Sequence, residues 1–295
     1  MMQKSTIQKL EEASFISNQL NVEMLRLDLL HPIVSGNKFF KLKYYLKETS
    51  EKKHTGIVTF GGYHSNHLVA AAFACKEARV KSIGIIRGEK PHSFSNCIKD
   101  CIEYGMEIKF LSRDNFDSLQ ATEIEKQFPN YTIIPQGGYG KLGSKGASEI
   151  LSNQNTLNYD YILASCGTGT MAAGLINASH QTQKMLFFSA LKNNFSILDE
   201  INELLENPTE KKNFQVLFNY DFGGYAKKNK LVLDTMNLFY EIHKIPTDFV
   251  YTGKMITAFY DLLNLNYFPK KSRILLIHSG GIQGNRSLKS NELIF

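Results

Sequence analysis

The sequence predicts an α/β fold of two lobes, with largely parallel sheets and flanking helices, and three observations carry that expectation. Short apolar runs alternate with longer amphipathic stretches along nearly the whole chain, the pattern of βαβ units. The chain has 295 residues, more than one small core needs and enough for two domains of roughly 100–200 residues each. The alternation breaks once, around PQGGYGKLGSKG (135–146), which predicts a smaller lobe over 47–138 and a larger one over 1–46 with 139–295.

In chain order, strands are expected at 24–29, 56–60, 82–86, 107–111, 132–134, 159–164, 185–189, 214–218 and 273–278. Each is a short run rich in Ile, Val, Leu, Phe or Tyr, bounded by turn residues. Helices are expected at 38–49, 66–78, 93–104, 119–128, 144–153, 170–179, 197–206, 230–243 and 253–264, where apolar residues recur at helical spacing. No repeat of solenoid length and no low-complexity tract interrupts them.

Composition narrows the function classes. At 43% hydrophobic and 21% charged the chain is an ordinary globular mix. No run approaches the roughly 18 apolar residues of a membrane span, and MMQKSTIQKLEEAS has no apolar core of a secretory signal. Cys75, Cys97, Cys101 and Cys166 are scattered, with no C-x-x-C pair, and read as reduced thiols of a cytoplasmic protein. The net charge is +6, but its densest runs, Lys227-Lys228 with Lys230 and Lys270-Lys271 with Arg273, are short. They read as solvated faces, not as a nucleic-acid or membrane surface, and a basic pocket for a small anionic ligand also fits.

Six glycine-bearing turns follow strands or open helices: SGNK (35–38), FGGYHSN (60–66), PQGGYG (135–140), SCGTGT (165–170), FGGY (222–225) and HSGG (278–281). In open α/β sheets ligands bind outside the carboxyl ends of the strands, so backbone converging there points to a ligand site. SCGTGTMAAG (165–174) follows an apolar strand and opens an Ala-rich helix. Gly167 and Gly169 permit the tight turn, and the helix start offers N–H groups and a dipole to an anion. Gly167, Gly169 and Ala172 also satisfy G-x-G-x-x-A, but the following MLFFSALKNN has no acidic residue for a ribose, and no G-K-[ST] follows. A single phosphate is expected instead.

In SGNKFFKL (35–42), Lys38 opens an amphipathic helix and Lys41 lies on the same face. The helix dipole opposes a cation there and lowers an amine's pKa, as a nucleophilic lysine requires, although a solvated lysine is the commoner occupant of such a position. In FGGYHSNH (60–67), Ser65 or Asn66 suits the N-cap, and either also suits a polar contact to a ligand. His64 and His67 have no third ligand nearby and no H-E-x-x-H, so no metal is expected.

SGNKFFKL, GGYHSNH and SCGTGTMAAG, with FGGYAK (222–227), TDFVYTGK (247–254) and HSGG, resemble the 1-aminocyclopropane-1-carboxylate (ACC) deaminase and D-cysteine desulfhydrase family, in order from about Leu25 to Gly281. The resemblance implies a tryptophan-synthase-β-like fold with pyridoxal 5'-phosphate (PLP) between the lobes, a small amino-acid substrate and a homodimer. It implies Lys38 as the Schiff-base lysine and Ser65, Tyr225 and Tyr251 as catalytic residues. It also implies Asn66 at the cofactor's ring hydroxyl, Gly167, Thr168, Gly169 and Thr170 as the phosphate loop with Lys41 nearby, and Thr252 and Ser279 at the ring. Thr252 stands where ring-opening members have Glu, and Ser279 where they have Leu; both departures resemble the desulfhydrases. Phe39-Phe40 replaces the commoner Thr-Arg, a change without an evident reason. The expectation is a deaminating lyase that converts D-cysteine to pyruvate, ammonia and sulfide by β-elimination. ACC deamination to 2-oxobutanoate, another PLP reaction of this fold such as β-replacement or racemisation, and a non-catalytic PLP-binding protein stay open as alternatives.

Overall fold

The computed structural model describes residues 5–34, 36–207 and 213–295. Strand-rich and helical stretches alternate as β1 Thr6–Leu10, α1 Ala13–Ser17, β2 Asn21–Arg26, α2 Asn37–Glu51, β3 Gly56–Gly61, α3 Asn66–Ala78, β4 Lys81–Arg87, α4 Asn96–Glu103, β5 Glu107–Leu111, α5 Arg113–Asp117, α6 Ala121–Gln127 and β6 Tyr131–Ile134. They continue as α7 Lys141–Ser152, β7 Tyr161–Cys166, α8 Thr170–Ala178, β8 Lys184–Ser189, α9 Ile197–Asn202, β9 Phe214–Leu217, α10 Lys230–His243, α11 Thr252–Asn264 and β10 Arg273–His278. No helix among the described residues is long and apolar enough to cross a membrane.

The chain divides into two compact units. The larger runs to Asn37 and resumes over Ala147–Phe295; the smaller is Lys38–Gly146. Residues 38–46 and 139–146 therefore group with the smaller unit, not with the larger as the break in rhythm suggested. Contacts within that unit hold α2: the Thr49 and Thr132 hydroxyls are hydrogen-bonded at 2.9 Å, and the Tyr45 hydroxyl donates to the Tyr139 carbonyl. Gly146 lies so close to α2 that a Cβ there would sit 1.9 Å from the Phe40 carbonyl oxygen.

The larger unit has a six-stranded sheet in the order β1-β2-β10-β7-β8-β9. Only β1 runs antiparallel to its neighbour. β7 reads YILASC and is buried at every position, the continuous pattern of a parallel strand covered on both faces. Its core is built by Leu163, Leu186, Ile274 and Leu276 of the sheet against Met255, Ile256, Phe259 and Leu262 of α11. Each such fully buried side chain contributes about 1.5–3 kcal/mol of transfer free energy. The smaller unit has a four-stranded parallel sheet, β5-β4-β3-β6. Val58, Phe60, Ile83 and Ile85 there pack against Ile124 and Phe128.

Several boundaries differ from expectation for local reasons. The strand expected at 24–29 is β2, because pairing with β10 begins at Asn21 and ends at Arg26, after which Leu27–Leu29 turn as a 3-10 segment. β1, not expected from its polar alternation, adds at the edge of β2 in register Thr6 to Arg26. The helix expected at 119–128 is α6, preceded by a separate α5 that the Ser112 side chain caps. The strand expected at 159–164 is β7, whose pairing with β8 carries it to Cys166, into the glycine turn. The helix expected at 93–104 starts later, because Ser95 caps α4, and that expected at 197–206 is the shorter α9.

Candidate active site

In the larger unit, SCGTGT joins the carboxyl end of β7 to the start of α8. Gly169 is the N-cap residue in the left-handed conformation, φ 68°, which glycine adopts without penalty. The Thr170 N–H turns back to the Thr168 carbonyl at 2.7 Å, and the N–H groups of Met171 and Ala172 follow at the positive end of the helix dipole, before the first intrahelical bond is made. The Thr168 and Thr170 hydroxyls lie 3.1 Å apart beside them. Ser165 Oγ donates to the Tyr251 carbonyl at 2.7 Å and ties the strand end to the TDFVYTGK segment. A Cβ on Gly167 would sit 3.2 Å from the Tyr251 ring, so the missing side chain lets the ring lie against the loop. The geometry is a cradle for a small anion.

Tyr225 and Tyr251 meet edge to face, ring centroids 6.2 Å apart, with their side chains hydrogen-bonded. Burial, the neighbouring Tyr225 and the charge of Asp248 hold the Tyr251 phenol well above its ordinary pKa, so it keeps its proton at neutral pH. Asp248 is fully buried and takes the N–H groups of Val250 (3.0 Å), Tyr251 (2.8 Å) and Thr252 (2.9 Å). This carboxylate ties down the backbone that leads into α11. The Thr252 hydroxyl is thereby left over: the residue is fully buried and Oγ1 has no hydrogen-bond partner.

Ser279 follows β10 in HSGG. Its carbonyl accepts the Asn37 N–H at 3.2 Å, and a Cβ on Gly36 would overlap it at 1.8 Å, so only glycine allows that approach. His278, before it, is fixed at both nitrogens: Nδ1 accepts from the Gly280 N–H at 3.1 Å and Nε2 donates to the Pro246 carbonyl at 2.8 Å. Ser35, first residue of the SGNK motif, lies outside the described residues.

In the smaller unit, Lys38 is half-buried in the first turn of α2. Lys41 is buried and donates to the Gly137 carbonyl of PQGGYG at 3.2 Å. Ser65 is the N-cap of α3, its Oγ accepting the Leu68 N–H at 3.3 Å, which uses a lone pair and leaves the hydroxyl proton. Asn66 is the first residue of that helix. His67 is buried; Thr59 Oγ1 donates to the Ile134 carbonyl and so accepts from His67 Nε2–H at 2.8 Å, leaving Nδ1 as a buried lone pair without a partner. Burial, then the charges of Lys38 and Lys41, push the imidazole pKa down to about 3. His64 is exposed, and among the described residues no three His, Cys, Asp or Glu side chains group to hold a metal ion. All four cysteines are buried, and none is in a disulfide.

Each unit thus gathers its own set: Lys38, Lys41, Ser65 and Asn66 in the smaller, and Gly167, Thr168, Gly169, Thr170, Tyr225, Tyr251, Thr252 and Ser279 in the larger. Sequence reasoning passed over Asp248 and Lys254. The only sign of the first was an acid four residues before Thr252 at a helix start; the second had none.

A parallel α/β architecture with an anion cradle at a strand end and a lysine at a helix start defines the class, a PLP enzyme of the tryptophan-synthase-β-like fold. Comparison with known proteins agrees. The family described as "Pyridoxal-phosphate dependent enzyme" matches residues 5–280, and the chain belongs to it. It is 30% identical to the Pyrococcus furiosus protein named "Putative 1-aminocyclopropane-1-carboxylate deaminase", over 90% of this chain and 85% of that one. It is 27% identical to the mitochondrial "Bifunctional D-cysteine desulfhydrase/1-aminocyclopropane-1-carboxylate deaminase" of Arabidopsis thaliana, over 85% and 70% of the two chains. The crystal structure of an ACC deaminase homologue shares the fold, with a TM-score of 0.81 and 24% identity over 96% of this chain and 91% of that one.

Proposed function

We propose that this PLP-dependent enzyme is a deaminating lyase that acts by β-elimination, with D-cysteine as its substrate: D-cysteine and water give pyruvate, ammonia and hydrogen sulfide. One observation carries the choice. Thr252 Oγ1 is a buried hydroxyl without a partner, and the carboxylate of Asp248, bonded to its segment, is taken up by three backbone N–H groups.

The residues fit PLP. The cradle of Gly167 to Thr170 suits its phosphate, and the orphaned Thr252 hydroxyl and Ser279 suit its ring nitrogen. Lys38 would be the attachment point, Asn66 would partner the ring hydroxyl, and Lys41 would add positive charge for the phosphate. Bound PLP supplies electron withdrawal from the substrate's Cα.

The protein's own groups do the rest. Lys38 Nζ moves the Cα proton, its amine favoured by the helix start where it sits. The Ser65 hydroxyl, whose proton the cap leaves over, orients the substrate. Tyr251, held protonated, serves as a donor toward the departing group, with Tyr225 orienting it. A neutral hydroxyl at position 252 stabilises charge at the ring nitrogen less than a carboxylate does. Such moderate withdrawal suffices when a thiolate leaves from Cβ, and suits less well the opening of a carbocycle that has no α-hydrogen.

A second reading, ACC deamination to 2-oxobutanoate, is favoured by the names of the relatives, the Arabidopsis protein carrying both activities in its own. Parallel assays of the purified holoenzyme on D-cysteine and ACC decide between them. Sulfide and pyruvate from D-cysteine, faster than 2-oxobutanoate from ACC, is the expected result. Robust 2-oxobutanoate with no sulfide overturns the proposal, and no keto acid from either amino acid removes both readings.

A further inference from the structure

A lysine three residues after Tyr251 has a setting that the chemistry above does not use. Lys254 lies on the first turn of α11 and is 1% exposed. Its ammonium donates to three backbone carbonyls: Gly224 at 2.6 Å, Asp221 at 2.7 Å and Ala190 at 3.2 Å. Ala190 directly follows β8, while Asp221 immediately precedes, and Gly224 belongs to, the FGGY turn that carries Tyr225. Three carbonyl oxygens match the three N–H donors of an ammonium, where a neutral amine would turn a lone pair toward one of them. Burial pushes the Lys254 pKa down to about 8, against the opposing charges of Asp221 and Asp248, so it carries all three protons at neutral pH.

The turn needs such a tie. Phe222 (φ 48°), Gly223 (96°), Gly224 (104°) and Ala226 (51°) all have positive φ, a conformation that strains the two non-glycine residues. Tyr225, in the midst of them, is 45% exposed, so packing alone does not fix it. Yet its side chain is hydrogen-bonded to Tyr251, on the segment from which Lys254 arises.

We propose that Lys254 is a positioning residue, a tethered cation that pins the FGGY turn to the end of β8 and so sets Tyr225 against Tyr251. The proposal rests on the functional reading only in taking Tyr225 as a site residue; the tie itself is independent of the substrate.

The test uses holoenzyme carrying Lys254→Met, Lys254→Gln or Lys254→Ala. Amide exchange should rise at least about tenfold in the peptide covering 221–227 of Lys254→Met, the scale set by losing one charge-assisted hydrogen bond, while peptides from β7 and β8 keep their protection. Lys254→Gln, retaining two donors, should fall between. Propylammonium added to Lys254→Ala should restore protection of the turn, and propanol should not. Turnover of D-cysteine should fall in kcat with KM and cofactor absorbance little changed. Unchanged exchange in 221–227, equal loosening of turn and sheet, or failure of every replacement to fold overturns the proposal in favour of a merely core-stabilising lysine. A protein that turns over neither amino acid but shows the expected exchange pattern removes the functional reading and leaves the tie standing.

Discussion

Acidifying the protein should expose the cost of keeping His67 neutral. The imidazole has an ordinary pKa of 6.5 and is pushed down to about 3 in the folded chain, by burial first and then by Lys38 and Lys41. Between those values the unfolded chain binds a proton at this position that the folded chain refuses. The folded state's depressed pKa therefore means that stability falls as pH drops from 6.5 toward 3. At about 1.4 kcal/mol per pKa unit, moving from about pH 7 to about pH 5 removes on the order of 2 kcal/mol, and the whole window on the order of 5 kcal/mol. The comparison is wild type against His67→Gln, whose amide can still donate to Thr59 but has no proton to gain. Urea unfolding of both, followed by far-ultraviolet circular dichroism because the chain has no Trp, gives the two pH dependences. Wild type should lose about 2 kcal/mol more than the variant over that interval. Equal losses would show that His67 is protonated in the folded protein, and that the lone-pair assignment at Nδ1 is wrong.

Three further outcomes follow from the same geometry. Borohydride reduction of the holoenzyme and peptide mapping should label Lys38, and Lys38→Ala should abolish the label; a label on Lys41 or Lys43 refutes the attachment site. Asp248→Ala leaves three N–H groups at the start of α11 without their acceptor, one of them on fully buried Thr252. It should lower stability by about 3 kcal/mol, read as a fall in the unfolding midpoint; a loss below about 1 kcal/mol would show that water or another group replaces the carboxylate. Thr252→Glu combined with Ser279→Leu should depress sulfide release from D-cysteine relative to 2-oxobutanoate release from ACC, and an unchanged ratio would show that these positions do not govern the electron demand of the reaction.

The alternation of apolar runs and amphipathic stretches determined the α/β class, because a strand covered on both faces must be apolar throughout, as YILASC is, and a helix must keep one apolar stripe. The glycine turns were legible for a similar reason: a loop whose backbone approaches a ring or a carbonyl has no room for a Cβ, as at Gly167 and Gly36. What stayed hidden were the partners. Ser65 could be read as a cap or as a ligand group from sequence, and it is a cap with its proton to spare. Thr252 opens a helix, yet its hydroxyl takes no N–H group there, and the Thr252 N–H itself goes to Asp248. Lys254 reads as an ordinary basic residue in a helix, yet its ammonium meets carbonyls 30, 33 and 64 positions away in the chain. Periodicity is written locally because each side chain's face follows from its own place in a helix or strand. Which donor finds which acceptor is decided only when distant segments pack, and it is that packing that left the Thr252 hydroxyl, like that of Thr247, buried and unclaimed.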